Sequence, residues 1–200
     1  MKKQKKQKLK FIWRDLALSN PYKVIEEIFN YATVQYYRDF LRDVLLYSTK
    51  SKEYRKEHVG HVIFSLEGIA CLLKACFVIS KEKKHSLLDV TEEDILNANF
   101  YSSRNSKMDL WSDFPRSLSQ AEILDPYIAF GKIFECHNPD KWHEIMKDVV
   151  NYAGSTCYHD MLEENLLEVY LQLSKLFEAA HLIHVREINH VWNWRRHETS

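Results

Sequence analysis

Two hundred residues, 46% of them apolar and 28% charged, are enough to bury a sizeable core, which excludes a disordered or low-complexity chain. Four glycines and four prolines are about a third of ordinary usage, and the glycines are isolated, so Gly-rich phosphate or dinucleotide loops and turn-rich β folds are excluded. Net charge is zero but uneven: six lysines fall in the first ten residues, leaving 22 basic against 28 acidic groups in residues 11–200.

Residues 1–12 read as a basic, disordered arm built on Lys2, Lys3, Lys5, Lys6, Lys8 and Lys10. The lysines run into Phe11-Ile12-Trp13 and then Arg14-Asp15, without the apolar stretch of a secretory signal. Residues 13–200 read as one all-α domain. Asn20-Pro21 is a helix start, with Asn as N-cap and Pro at the first helical position. Ile25, Ile28, Phe29, Ala32, Tyr36 and Phe40 recur at helical steps, and Val34, Tyr37, Leu41 and Leu45 make a second track, predicting a helix over 21–49 with neighbours on two sides.

A second helix is expected over 53–80. It holds Gly60 and Gly68, which would admit another helix at close range. Its run Val62–Ile79 has the length of a short membrane span. Glu67 and Lys74, seven residues apart and so nearly in line, instead mark a buried helix with a narrow polar stripe. Thr91 followed by Glu92, Glu93 and Asp94 predicts a short helix ending near Asn99. Residues 100–118 read as an irregular surface segment, anchored by Trp111 and Phe114.

Ser119 and Glu122 fit a capping box ahead of Tyr127–Cys136. Asn138-Pro139 repeats the start signal for 139–153, and Gly154 ends that helix. Asp160 and Glu163 fit a capping pair for a last long helix over 161–192. The fold class is therefore an all-α bundle of five to seven helices, with long helices near 21–49, 53–80, 139–153 and 161–192. Cys71, Cys76, Cys136 and Cys157 form no CxxC pair and are expected as buried thiols of a cytoplasmic protein.

Three groups of residues carry candidate chemistry. The last helix concentrates Glu178, His181, His184, Glu187 and His190. Its two Glu-x-x-His steps, Glu178/His181 and Glu187/His190, resemble half-sites of di-iron bundles. They stand nine residues apart and point about 180° away from each other, so no metal is assigned. His181, His184, Glu187 and His190 are taken as an inward polar cluster, with a His–Glu hydrogen bond, and Glu178 as facing outward. The second group is Arg55-Lys56-Glu57-His58-Val59-Gly60-His61. An Arg and a His with five residues between them in a helical bundle resemble the pair of the HEPN ribonucleases. That resemblance implies a metal-independent ribonuclease, with His61 as general acid/base and Arg55 stabilising phosphate charge across a dimer. Lys56 stands where that family often has a polar residue. The third group is the lysine arm, together with Trp192, Trp194, Arg195 and Arg196 at the other terminus. These are suited to phosphates or an acidic protein surface.

Nucleophile elbows and zinc-finger spacings are absent from the sequence. The expected function is that of a non-enzymatic, regulatory interaction protein, cytoplasmic and without a cofactor, which binds a protein partner or nucleic acid and is able to form a homodimer. The alternatives are the HEPN-like ribonuclease with Arg55 and His61 as catalytic residues, and a helical pocket for a small apolar ligand walled by some of the 26 aromatic residues.

Overall fold

The computed structural model describes residues 12–82, 90–102, 111–156 and 164–189. All regular structure in them is helical: α1 (Ile12–Ser19), α2 (Pro21–Tyr31), α3 (Val34–Ser48), α4 (Val59–Lys81), α5 (Gln120–Leu124), α6 (Tyr127–Cys136), α7 (Pro139–Ala153) and α8 (Leu166–Ile183). Two short 3₁₀ turns, Glu92–Leu96 and Ala98–Phe100, precede α5, and α8 runs on into a π-helical turn, His184–Asn189.

α4 is the axis of the bundle, packing against α1, α2, α6 and α7, while α3 packs on α7 and α8. Ile69, Leu72, Leu73, Ala75, Cys76 and Ile79 of α4 are buried. By length and apolarity this helix would also cross a membrane, but here its neighbours cover it. Phe40, Phe130, Phe177 and Trp142 fill the space around it.

The predicted helix over 21–49 is two helices. Ala32 is extended (φ −147°, ψ 159°) and Thr33 caps α3, its hydroxyl accepting from the Tyr36 N–H at 3.1 Å. Local hydroxyl capping competes with helix propagation, and the break lets the two apolar tracks face different partners. α2 then lies on α4, and α3 on α7 and α8.

The predicted helix over 53–80 begins only at Val59. His58 is its N-cap, with Nδ1 accepting from the Gly60 N–H at 3.1 Å. Residues 53–58 have no apolar face to bury, and the Tyr54 N–H bonds instead to the Ala153 carbonyl at the end of α7, at 2.6 Å. Gly60 is exposed, and a Cβ there would meet only the His58 ring, so it admits no neighbouring helix. Gly68 is buried.

The start signals at Asn20, Ser119 and Asn138 form as expected, including the Ser119–Glu122 capping box. Thr91 caps a 3₁₀ turn rather than an α-helix. The Asp160/Glu163 pair lies outside the described residues, and α8 is capped by Asn165. The segment after Phe100 is less superficial than predicted: Tyr101, Ser102, Asp113 and Pro115 are buried, while Trp111 is half exposed. Among the cysteines, Cys71 and Cys76 are buried and Cys136 is exposed, because it ends α6 rather than facing the core; Cys157 is outside the described residues.

Candidate functional site

Lys2, Lys3, Lys5, Lys6, Lys8, Lys10, His190, Trp192, Trp194, Arg195 and Arg196 lie outside the described residues. The other candidates fall into three places.

Arg55 sits in the loop between α3 and α4, and His61 in the first turn of α4; both are exposed. The Arg55 side chain is 80% exposed and grips Glu53, with Nη2 to Oε2 at 2.5 Å. Val59 and Ile63 flank His61 along the chain and are exposed apolar side chains.

His181, His184 and Glu187 are buried at the C-terminal end of α8, as the sequence suggests. The π-helical turn widens the backbone, and His184, Val185, Arg186 and Glu187 are buried in succession. These side chains bond to groups outside the cluster. Tyr127 Oη donates to Glu187 Oε2 at 2.5 Å, His181 Nε2 donates to the Tyr101 carbonyl at 3.0 Å, and Asn189 Nδ2 reaches His184 Nε2 at 3.4 Å. Burial, reinforced by His181, drops His184 to about 4, against a weak opposing pull from Glu26. Arg186, which the pattern reading passed over, is fully buried. It donates to the carbonyls of Ile123 and Phe100 and lies over the Phe100 and Tyr101 rings. This end of α8 is a cross-link that fastens α5, α6 and the 3₁₀ turns. Among the described residues no three His, Cys, Asp or Glu side chains converge as metal ligands would.

Glu178 faces inward, against the expectation. Its side chain is 1% exposed and pairs with Arg38 of α3 at 2.9 Å. It also accepts from the backbone N–H groups of Arg116 (3.0 Å) and Ser117 (2.8 Å). The helical projection placed it opposite the apolar face of α8; the segment before α5 covers that opposite side.

Two cavities among the described residues are bordered by charged side chains. The larger is an open depression of about 410 Å³ lined by Tyr47, Ser51, Lys52, Glu53, Arg55, Lys56 and Thr156. The Nζ atoms of Lys50 and Lys56 lie 5.4 and 5.9 Å from the centre of the Tyr47 ring, and Tyr54 packs edge-on against the same ring. Aromatic carbon beneath ammonium groups is a favourable seat for cations that also meet anions from solvent. Asp43 holds Lys56 at 2.8 Å and Arg42 at 3.4 Å. Arg42 in turn borders the second cavity, a small cleft of about 40 Å³ between α3, α8 and the segment before α5. Lys56 of the depression and Arg42 of the cleft thus share one carboxylate. Only Arg55 of the depression was singled out from sequence. The signal for the rest was present as Lys50, Lys52, Arg55 and Lys56 within seven residues around Tyr54.

No protein-family model, curated protein or solved structure matches this chain.

Proposed function

We propose that the protein is a helical binding module whose ligand is a single strand of nucleic acid, engaged electrostatically at the loop between α3 and α4. The observation that supports this reading is the depression itself: three cations of one loop, Lys52, Arg55 and Lys56, share it with the Tyr47 ring, over which Lys50 and Lys56 lie. Cations combined with aromatic rings suit a phosphate backbone with stacked bases better than an acidic peptide, which offers no rings to stack. Glu53 and Asp43 each hold one of the cations and keep the loop in shape, and they lower its net charge without reversing it. The six N-terminal lysines add sequence-blind phosphate contacts to the same ligand. The test is fluorescence anisotropy with labelled single-stranded RNA and DNA. Affinity should fall linearly on a log–log plot as salt rises; binding indifferent to salt, or absent at low salt, overturns the reading.

A second reading makes RNA the substrate, through Arg55 and His61. Its support is that both side chains are open to solvent and that Val59 and Ile63, beside His61, are apolar and exposed as a surface covered by a second copy would be. RNA cleavage that disappears in His61→Ala would favour it over binding alone.

A further inference from the structure

The small cleft between α3 and α8 has chemistry that its structural ion pair does not use up. It is bordered by three guanidiniums, Arg38, Arg42 and Arg116, against two carboxylates, Asp39 and Glu178, leaving one positive charge in excess. Two of the three are committed: Arg38 to Glu178 and to the Phe114 carbonyl, and Arg42 to Asp39 at 2.8 Å. Arg116 is exposed and its guanidinium makes no ion pair among the described residues. Ser174 borders the same cleft, is 1% exposed, and its hydroxyl has no hydrogen-bond partner among the described residues; the same holds for Arg38 Nε. A buried hydroxyl without a partner is costly, so a group that accepts from it is favoured there.

We propose that this cleft is a binding subsite for a phosphate monoester. A carboxylate, Glu178, already occupies the two backbone N–H groups of Arg116 and Ser117. What remains is a hydroxyl and a free guanidinium, with the half-exposed Arg42 able to turn from Asp39. Those are three donors, which suit three phosphate oxygens better than the two of a second carboxylate. About 40 Å³ takes roughly three water-sized centres, the space of one tetrahedral oxyanion, so whatever carries the phosphate stays outside the cleft. Asp39 is the opposing charge at the mouth, and it sets a preference for a ligand that draws Arg42 away from it. The subsite goes beyond nucleic-acid binding at the loop.

The experiment is a titration of the full chain with inorganic phosphate, O-phospho-L-serine and AMP at constant ionic strength, followed by ³¹P line broadening and by Tm. Saturable binding is expected. It should weaken at least tenfold in Arg116→Gln, whose side chain is exposed and leaves the fold intact, and several-fold in Ser174→Ala. Lys52→Gln should leave it unchanged, which separates this subsite from the loop. The tightest of the three ligands identifies the source: free phosphate, a phosphorylated side chain or a nucleotide. No saturable binding, or equal binding in wild type, Arg116→Gln and Ser174→Ala, overturns the proposal.

Discussion

Arg38 and Glu178 stand on different helices, 140 residues apart in the chain, and close a 2.9 Å ion pair with 5% and 1% of their side chains exposed. Burial pushes the Arg38 guanidinium below its ordinary value, and Glu178 is the chief group opposing that shift. Arg38 also donates to the carbonyls of Ser112 and Phe114, while Glu178 accepts from Arg116 and Ser117. One pair therefore ties the segment 111–117 to both α3 and α8. Removing a single partner strands a buried charge, and Glu178→Ala should cost about 3–5 kcal/mol in urea unfolding. The double variant Arg38→Met/Glu178→Leu should recover part of that loss. Proteolysis should cut near residues 111–117 first in Glu178→Ala.

The carboxylate of Glu122 makes a second prediction. The residue is fully buried, which by itself raises its affinity for a proton. The Ser119 N–H and the ammonium groups of Lys132 and Lys175 outweigh burial and bring it down from 4.5 to about 2. The folded value is depressed, so the stabilisation is complete above about pH 4.5 and is lost as pH falls from 4.5 through 2. Its size is at most roughly 3 kcal/mol, because Lys132 is more than half exposed. Urea midpoints of wild type and Glu122→Gln should differ most above pH 4.5 and converge toward pH 2.

Much of the fold was legible because helix starts are local chemistry. Asn20 and Asn138 ahead of prolines, and Ser119 with Glu122, cap their helices by contacts within three residues. Thr33 and His58 were missed for the same physical reason read backwards: a hydroxyl or an imidazole competes for backbone N–H groups inside a stretch whose periodicity continues across the break. The sites were less legible. The inward turn of Glu178 depends on Arg38 and on backbone N–H groups at 116 and 117, and no spacing along α8 encodes partners so distant. The cations of residues 50–56 were visible as composition, but their gathering around Tyr47 required the loop to leave the helix at Ser48.

His184 gives the protein a second, higher acid-sensitive step. The imidazole is buried against Phe29, with His181 the nearest like charge and Glu26 the opposing one, and titrates near 4 instead of 6.5. The unfolded chain takes up this proton near 6.5 and the folded chain only near 4. Stability is therefore highest above pH 6.5 and declines as pH falls from 6.5 to 4, by at most roughly 3 kcal/mol. His184→Phe removes the proton-binding group and keeps an aromatic ring beside Phe29. Chemical denaturation at pH 7 and pH 5 should show a smaller difference in this variant than in wild type.

The loop between α3 and α4 makes the prediction closest to function. Lys52 and Lys56 border the depression with exposed or half-exposed side chains; removing Lys52 leaves the core untouched, whereas removing Lys56 takes a cation from the buried Asp43. If Lys52 contacts one phosphate, Lys52→Gln should reduce the slope of log affinity against log salt by about 0.7, the value for a single strand. Arg55→Gln and Lys56→Gln should reduce it less, because Glu53 and Asp43 already hold those cations at 2.5 and 2.8 Å. Tyr47→Leu tests the ring separately: it should weaken binding by roughly 1–3 kcal/mol while leaving the salt slope as it is, since stacking releases no counterions. A Tyr47→Leu variant that changes the slope as much as the lysine variants would show the ring acting only as a support for Lys50 and Lys56, whose ammonium groups lie over it.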